Sequence, residues 1–118
     1  MDIKSVTVFS CLALSLFASA AIAQCEQYKC AGVTNTFLQS LKSSEDGIYL
    51  NFPLGTAAKL ACDLKQGRYA TLDRNTPSFS SMHSLMLTAI TSNSPVVIEF
   101  SSTEQSCRVT SVEILVTE

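Results

Sequence analysis

The sequence has 118 residues, of which 47% are hydrophobic and 15% charged, with eight basic and ten acidic side chains and a formal net charge of −2. The basic residues are scattered, which excludes sequence-independent nucleic-acid binding, because that requires Lys and Arg clustered to displace counterions. A basic amphipathic face is also missing, which excludes a role on an anionic membrane surface.

Residues 1-23 read as a targeting segment. Lys4 precedes an apolar run from Val6 to Phe17, and Ala21-Ile22-Ala23 gives the small-x-small pattern that a signal peptidase accepts. The apolar run is too short and too interrupted by Ser for a membrane span, so no membrane insertion is expected once the signal is removed. Cleavage before Gln24 leaves 24-118 as a single domain, secreted or periplasmic.

A core of this size needs reinforcement. The mature cysteines are Cys25, Cys30, Cys62 and Cys107, an even number in an exported chain, so disulfides are the default. Three connectivities exist. Cys62 to Cys107 is favoured because each lies in an apolar strand pattern, with Cys25 to Cys30 as a local clasp. Zinc would want two short Cys pairs and there is one, so no metal or other cofactor is expected.

The first strand is expected over Ala31 to Leu41, with Val33, Phe37 and Leu41 alternating against Thr34, Thr36 and Ser40. Lys42 to Gly47 supplies a turn, after which Ile48, Leu50 and Phe52 share one face and Tyr49 and Asn51 the other, giving a hairpin. Pro53 and Gly55 end that strand. Ala58 to Leu64 puts Leu60, Cys62 and Leu64 on one face of a further strand, and Arg68 to Asp73 follows after Gln66-Gly67.

The one convincing helix lies in the stretch Asn75 to Ser92. Asn75 or Thr76 is placed to cap it, Pro77 suits its first turn, and Asn93-Ser94-Pro95 stops it. Phe79, Met82, Leu85, Met86, Leu87, Ala89 and Ile90 spread over an apolar arc of roughly 200°, wider than one sheet face needs. Two readings follow: the helix is tucked deep between a curved sheet and a loop, or one flank meets a neighbouring subunit through Met82, His83, Met86 and Leu87.

After the helix, Val96, Ile98 and Phe100 alternate with Val97 and Glu99. In the last strand, Cys107 to Thr117, the apolar phase changes from Cys107 and Val109 to Val112, Ile114 and Val116. A β-bulge at Thr110-Ser111 explains the change, and so does a simple crossing between faces. The whole order is mainly β (α+β): a five-stranded OB-fold-like barrel, disulfide-stabilised, with one helix between the third and fourth strands.

The residue inventory argues against an enzyme. His83 is the only histidine and falls on the apolar side of the helix, the serines lack a G-x-S-x-G context, and an even count of exported cysteines leaves no free thiol. Paired carboxylates would need a cleft, and Asp63 and Asp73 are separated by a distance the sequence does not give. Binding is therefore the default, and Tyr49, Arg68, Tyr69 and Arg74 are the candidate ligand-binding residues, since Tyr rings stack on sugars or peptides and Arg pairs with carboxylates.

The stretch C-D-L-K-Q-G-R-Y-A-T-L-D, the helix S-S-M-H-S-L-M-L-T-A-I-T, the strand S-P-V-V-I-E-F and a Cys-led last strand together resemble small secreted bacterial proteins related to toxin B subunits, such as those of subtilase cytotoxin and typhoid toxin. The resemblance implies an OB barrel, a homo-oligomeric ring of five copies with helices around its centre, recognition of a cell-surface glycan, and an A-type partner subunit. None of that family's sugar-contacting residues is assigned to a position here. The alternative is a monomeric periplasmic structural or protein-interaction domain that binds through a strand edge.

Overall fold

The computed structural model describes residues 24–116, so the targeting segment expected at 1-23 lies outside the described residues. Strands β1 (Gln24–Glu26), β2 (Lys29–Val33), β3 (Ser40–Ser44), β4 (Gly47–Asn51) and β5 (Tyr69–Asp73) precede helix α1 (Phe79–Ser92), and β6 (Pro95–Phe100) and β7 (Val109–Ile114) follow it. They form two antiparallel sheets, one in the order β1-β2-β6-β7 and the other β3-β4-β5. The sheets touch through an isolated parallel bridge between Thr71 and Arg108 and are not closed into a barrel. Among the described residues no helix is long and apolar enough to cross a membrane.

The period-two pattern explains which side of each strand is covered. In β4 and β5, Ile48, Leu50, Ala70 and Leu72 point into the core. Their alternates Tyr49, Tyr69, Thr71 and Asp73 lie on the opposite face, with Tyr49 directly across from Thr71. Gly47 opens β4 with φ +146°, and a Cβ there would come within 2.1 Å of the Leu72 carbonyl oxygen, so the close approach of β5 requires glycine. In the other sheet Val96, Ile98 and Phe100 of β6 bring the core face from between β2 and β7.

The expected first strand is two strands. A 3-10 turn at Thr34–Thr36 separates β2, which pairs with β6, from β3, which pairs with β4. The Lys42 to Gly47 turn shrinks to Glu45-Asp46 because β3 continues through Ser44. The strand expected at Ala58 to Leu64 is corrected more deeply. Thr56–Lys59 is a 3-10 turn, and the following backbone bonds to two different places: Ala61 N–H donates to the Gln27 carbonyl at 2.7 Å, and Asp63 N–H to that of Gln105 at 2.7 Å. Leu60, Cys62 and Leu64 are buried in alternation as the pattern implies, but they serve no single ladder.

The bulge is present. Glu99 pairs with Ser111 and Phe100 with Val109, so Thr110 is the extra residue, and the buried positions change phase there from Cys107 and Val109 to Val112. Both favoured disulfides are present, Cys25–Cys30 and Cys62–Cys107. The first joins directly opposed residues of the β1–β2 hairpin. The sequence pattern gave no sign of β1 itself.

Helix α1 starts later than its expected caps. The Asp73 carboxylate accepts the Asn75 N–H at 2.9 Å and its carbonyl accepts that of Thr76 at 3.0 Å, so Asn75, Thr76 and Pro77 are turns ahead of the helix. Ser78, at φ +66°, leads into Phe79. The far end follows expectation: Asn93 takes φ +51°, its N–H reaches the Ile90 carbonyl, and the Ser94 N–H reaches that of Ala89, the Schellman arrangement. Asn93 Oδ1 also accepts the Asn35 N–H at 2.9 Å, tying the helix end to the turn after β2.

The apolar arc of the helix is explained within the chain only in part, since Leu85, Leu87 and Ile90 are exposed. Met82 and Met86, at 9% and 1% exposure, lie in its own core with Ala89. Of the four residues assigned to a subunit contact, Leu87 is 48% exposed and His83 half-buried, its ring 6.0 Å from that of Phe79. Sequence periodicity cannot separate a flank that meets the chain's own sheet from one that meets another copy.

Candidate functional site

Because β4 and β5 turn their core residues one way, their alternates form the floor of a cleft of about 760 Å³ on the other side. One wall is the irregular segment from Asp63 to Lys65, and another is Ser106 to Arg108 at the entry to β7. These walls are held together covalently and by hydrogen bonds. Cys62 is bonded to Cys107, Cys107 N–H donates to the Asp63 carbonyl at 3.0 Å, and Thr71 N–H donates to the Cys107 carbonyl at 3.0 Å. The disulfide thus ties together the two segments that wall the cleft.

Tyr49 and Tyr69 sit diagonally across neighbouring strands, their ring centroids 5.9 Å apart and their planes tilted by 41°. Tyr49 is buried and Tyr69 half-buried. Lys65 Nζ donates to the Tyr49 hydroxyl at 3.1 Å and stands 4.9 Å from the centre of that ring, while the hydroxyl donates to Asp46 Oδ2 at 3.3 Å. The hydrogen bond to Tyr49, then the negative charge that Tyr49 and Asp46 can present, raise the Lys65 pKa above its ordinary value. The side chain is solvent-exposed and remains an ammonium through neutral pH; its proton is lost only in strongly alkaline solution.

Arg68 lies outside the lining of the cleft, with its guanidinium 5.7 Å from the Tyr69 ring centre. Its Nε is buried and has no hydrogen-bond partner, as is Asn51 Oδ1. Arg74 lines the opposite rim, where its Nη2 donates to the Ser44 carbonyl at 3.0 Å. Arg108 pairs with Glu104 on the far wall. Three of the four residues expected to bind ligand therefore meet in one cleft, Tyr49, Tyr69 and Arg74, and Arg68 braces one of the rings from outside.

The pattern did not single out Lys65 or Arg108, and it treated Asp46 as part of a turn. Asp63 and Asp73, whose separation the sequence leaves open, both line the cleft. The usable signal was alternation: Asp63 and Lys65 are the outward neighbours of the buried Cys62 and Leu64. What sequence could not give was the direction in which that wall faces, since its hydrogen bonds go to distant segments. His83, on α1, is not part of the lining. Among the described residues no group of three or more His, Cys, Asp or Glu side chains is arranged to hold a metal ion.

No family model, curated protein or solved structure matches this chain. The two disulfides fit a compartment outside the reducing cytoplasm.

Proposed function

We propose that this chain is an exported, non-catalytic binding module whose ligand is a glycan, held in the cleft between Tyr49, Tyr69 and Arg74. The observation that carries the reading is the meeting of two tyrosine rings with donors and acceptors of both kinds in one concavity. Aromatic rings pack against the C–H faces of sugars, carboxylates accept from their hydroxyls, and Arg, Lys and the Asn75 amide donate to them. The cleft also has the size of an ordinary small-ligand site.

Several features favour binding over hydrolysis. A glycosidase needs one carboxyl kept protonated by apolar surroundings. Of the five carboxylates that line the cleft, Glu45, Asp46, Asp63 and Glu104 are exposed to solvent, and Asp73 is half-buried and accepts the Asn75 N–H. Lys65, held as an ammonium, is a fixed donor rather than a base.

On this reading β2 and β3 are two halves of one bent strand that serves both sheets, and the parallel bridge of Thr71 with Arg108 is the seam of an OB-like five-stranded barrel. Tyr69→Ala removes the half-buried ring from the cleft while leaving the core face of β5 untouched. It is expected to weaken glycan binding at least about tenfold, with an unchanged far-ultraviolet circular dichroism spectrum. Binding that survives the substitution would reject the cleft as the site.

Ring assembly is the wider form of this proposal. It is supported by Leu87 and Ile90, 48% and 40% exposed, on the flank of α1 that carries His83. The second reading, a monomeric periplasmic interaction domain, is favoured by β3, an edge strand with a partner on one side only among the described residues. Light scattering on the oxidised mature protein separates them. A mass near five protomers supports the ring, and a clean monomer removes it while leaving the cleft to be tested by itself.

A further inference from the structure

Resting on the glycan reading of the cleft, we infer that it takes uncharged sugars and rejects those carrying a carboxylate, such as sialylated or uronic-acid glycans. Five carboxylates line it, Glu45, Asp46, Asp63, Asp73 and Glu104, against the three cations Lys65, Arg74 and Arg108. With all of them ionised, the lining carries a net charge of −2.

The cations are also committed. Arg108 is paired with Glu104, which leaves four carboxylates facing Lys65 and Arg74. Lys65 is held on the Tyr49 hydroxyl, and one nitrogen of Arg74 is held on the Ser44 carbonyl. Recognition of a carboxylate works best with an arginine fork free to take both oxygens. Here the Arg74 fork is partly used, and Asp73 is the residue before it in the chain. An entering carboxylate meets repulsion from most of the lining, which the exposed position of Glu45, Asp46, Asp63 and Glu104 leaves open to screening by salt. Sugar hydroxyls meet the opposite situation: the exposed Glu45 and Asp63 carboxylates accept strong hydrogen bonds from them, and a vicinal pair of hydroxyls can occupy both oxygens of one carboxylate.

The experiment uses the oxidised mature protein on an array of matched neutral and sialylated glycans, followed by titration of the best neutral glycan against its own sialylated form. The neutral form is expected to bind about tenfold more tightly at low ionic strength, with the gap narrowing as salt screens the carboxylates. Asp63→Asn, at an exposed position where folding is not at stake, is expected to narrow the gap by about threefold. Equal or tighter binding of the sialylated form, or a gap that ignores both salt and Asp63→Asn, overturns the inference while leaving the glycan reading in place. Failure of every glycan, neutral and acidic, overturns the glycan reading itself and the inference with it.

Discussion

Replacing Cys62 and Cys107 together by serine is expected to lower the free energy of unfolding by about 4 kcal/mol on the chain-entropy account of cross-links. The bond closes a separation of 45 residues that contains β5, α1 and β6, so its loss frees a large part of the unfolded ensemble. Its effect is also local, because Cys107 N–H and the Asp63 carbonyl bond beside it and both segments wall the cleft. The corresponding loss for Cys25 and Cys30, only 5 residues apart, is about 2 kcal/mol by the same relation. Urea unfolding of the two double variants gives the comparison. A smaller loss from the Cys62/Cys107 pair than from the Cys25/Cys30 pair would contradict it.

Phe52→Ala is expected to cost about 3–5 kcal/mol, the range for truncating a fully buried aromatic ring. Phe52 is 0% exposed and lies between Phe37 and Phe100, with centroid separations of 6.1 Å to each. Phe37 comes from the connection between β2 and β3, and Phe100 ends β6 in the other sheet, so the three rings join the two halves of the core. Phe52→Leu keeps most of the apolar volume and is expected to lose less than half as much. Similar losses for both variants, measured by thermal or urea unfolding, would contradict this and show that the ring contacts with Phe37 and Phe100, rather than apolar volume, carry the stabilisation.

The parts of the fold that could be read from sequence are those where one local pattern had one physical cause. Tyr49 was placed away from the core because strand side chains alternate, and it does share the outer face of β4 and β5 with Tyr69. The bulge was readable because an extra residue must shift the apolar phase, as Thr110 does. The disulfides followed from apolar context for one pair and chain proximity for the other.

The failures share a different cause. Alternating burial at Leu60, Cys62 and Leu64 suggested a strand, yet alternation needs only two environments, and here the backbone bonds to Gln27 on one side and Gln105 on the other. That is also why Asp63 and Lys65 escaped the list of ligand-binding residues. An apolar arc likewise does not say whose core it enters: Met82 and Met86 are buried in the chain's own. The caps at Asn75 and Thr76 gave way because Asp73, two residues before Asn75, captured its N–H first.

The central claim, a sugar site on the outer face of β4 and β5, is tested most directly by amide correlation spectra of the oxidised mature protein titrated with a neutral oligosaccharide. Saturable shifts are predicted for Tyr49, Asp63, Lys65, Tyr69 and Asn75, with the exposed flank of α1 at Leu87 unaffected. Shifts confined to α1 or to the turn that follows β4 at Pro53 to Gly55, or none at saturating sugar, would contradict it.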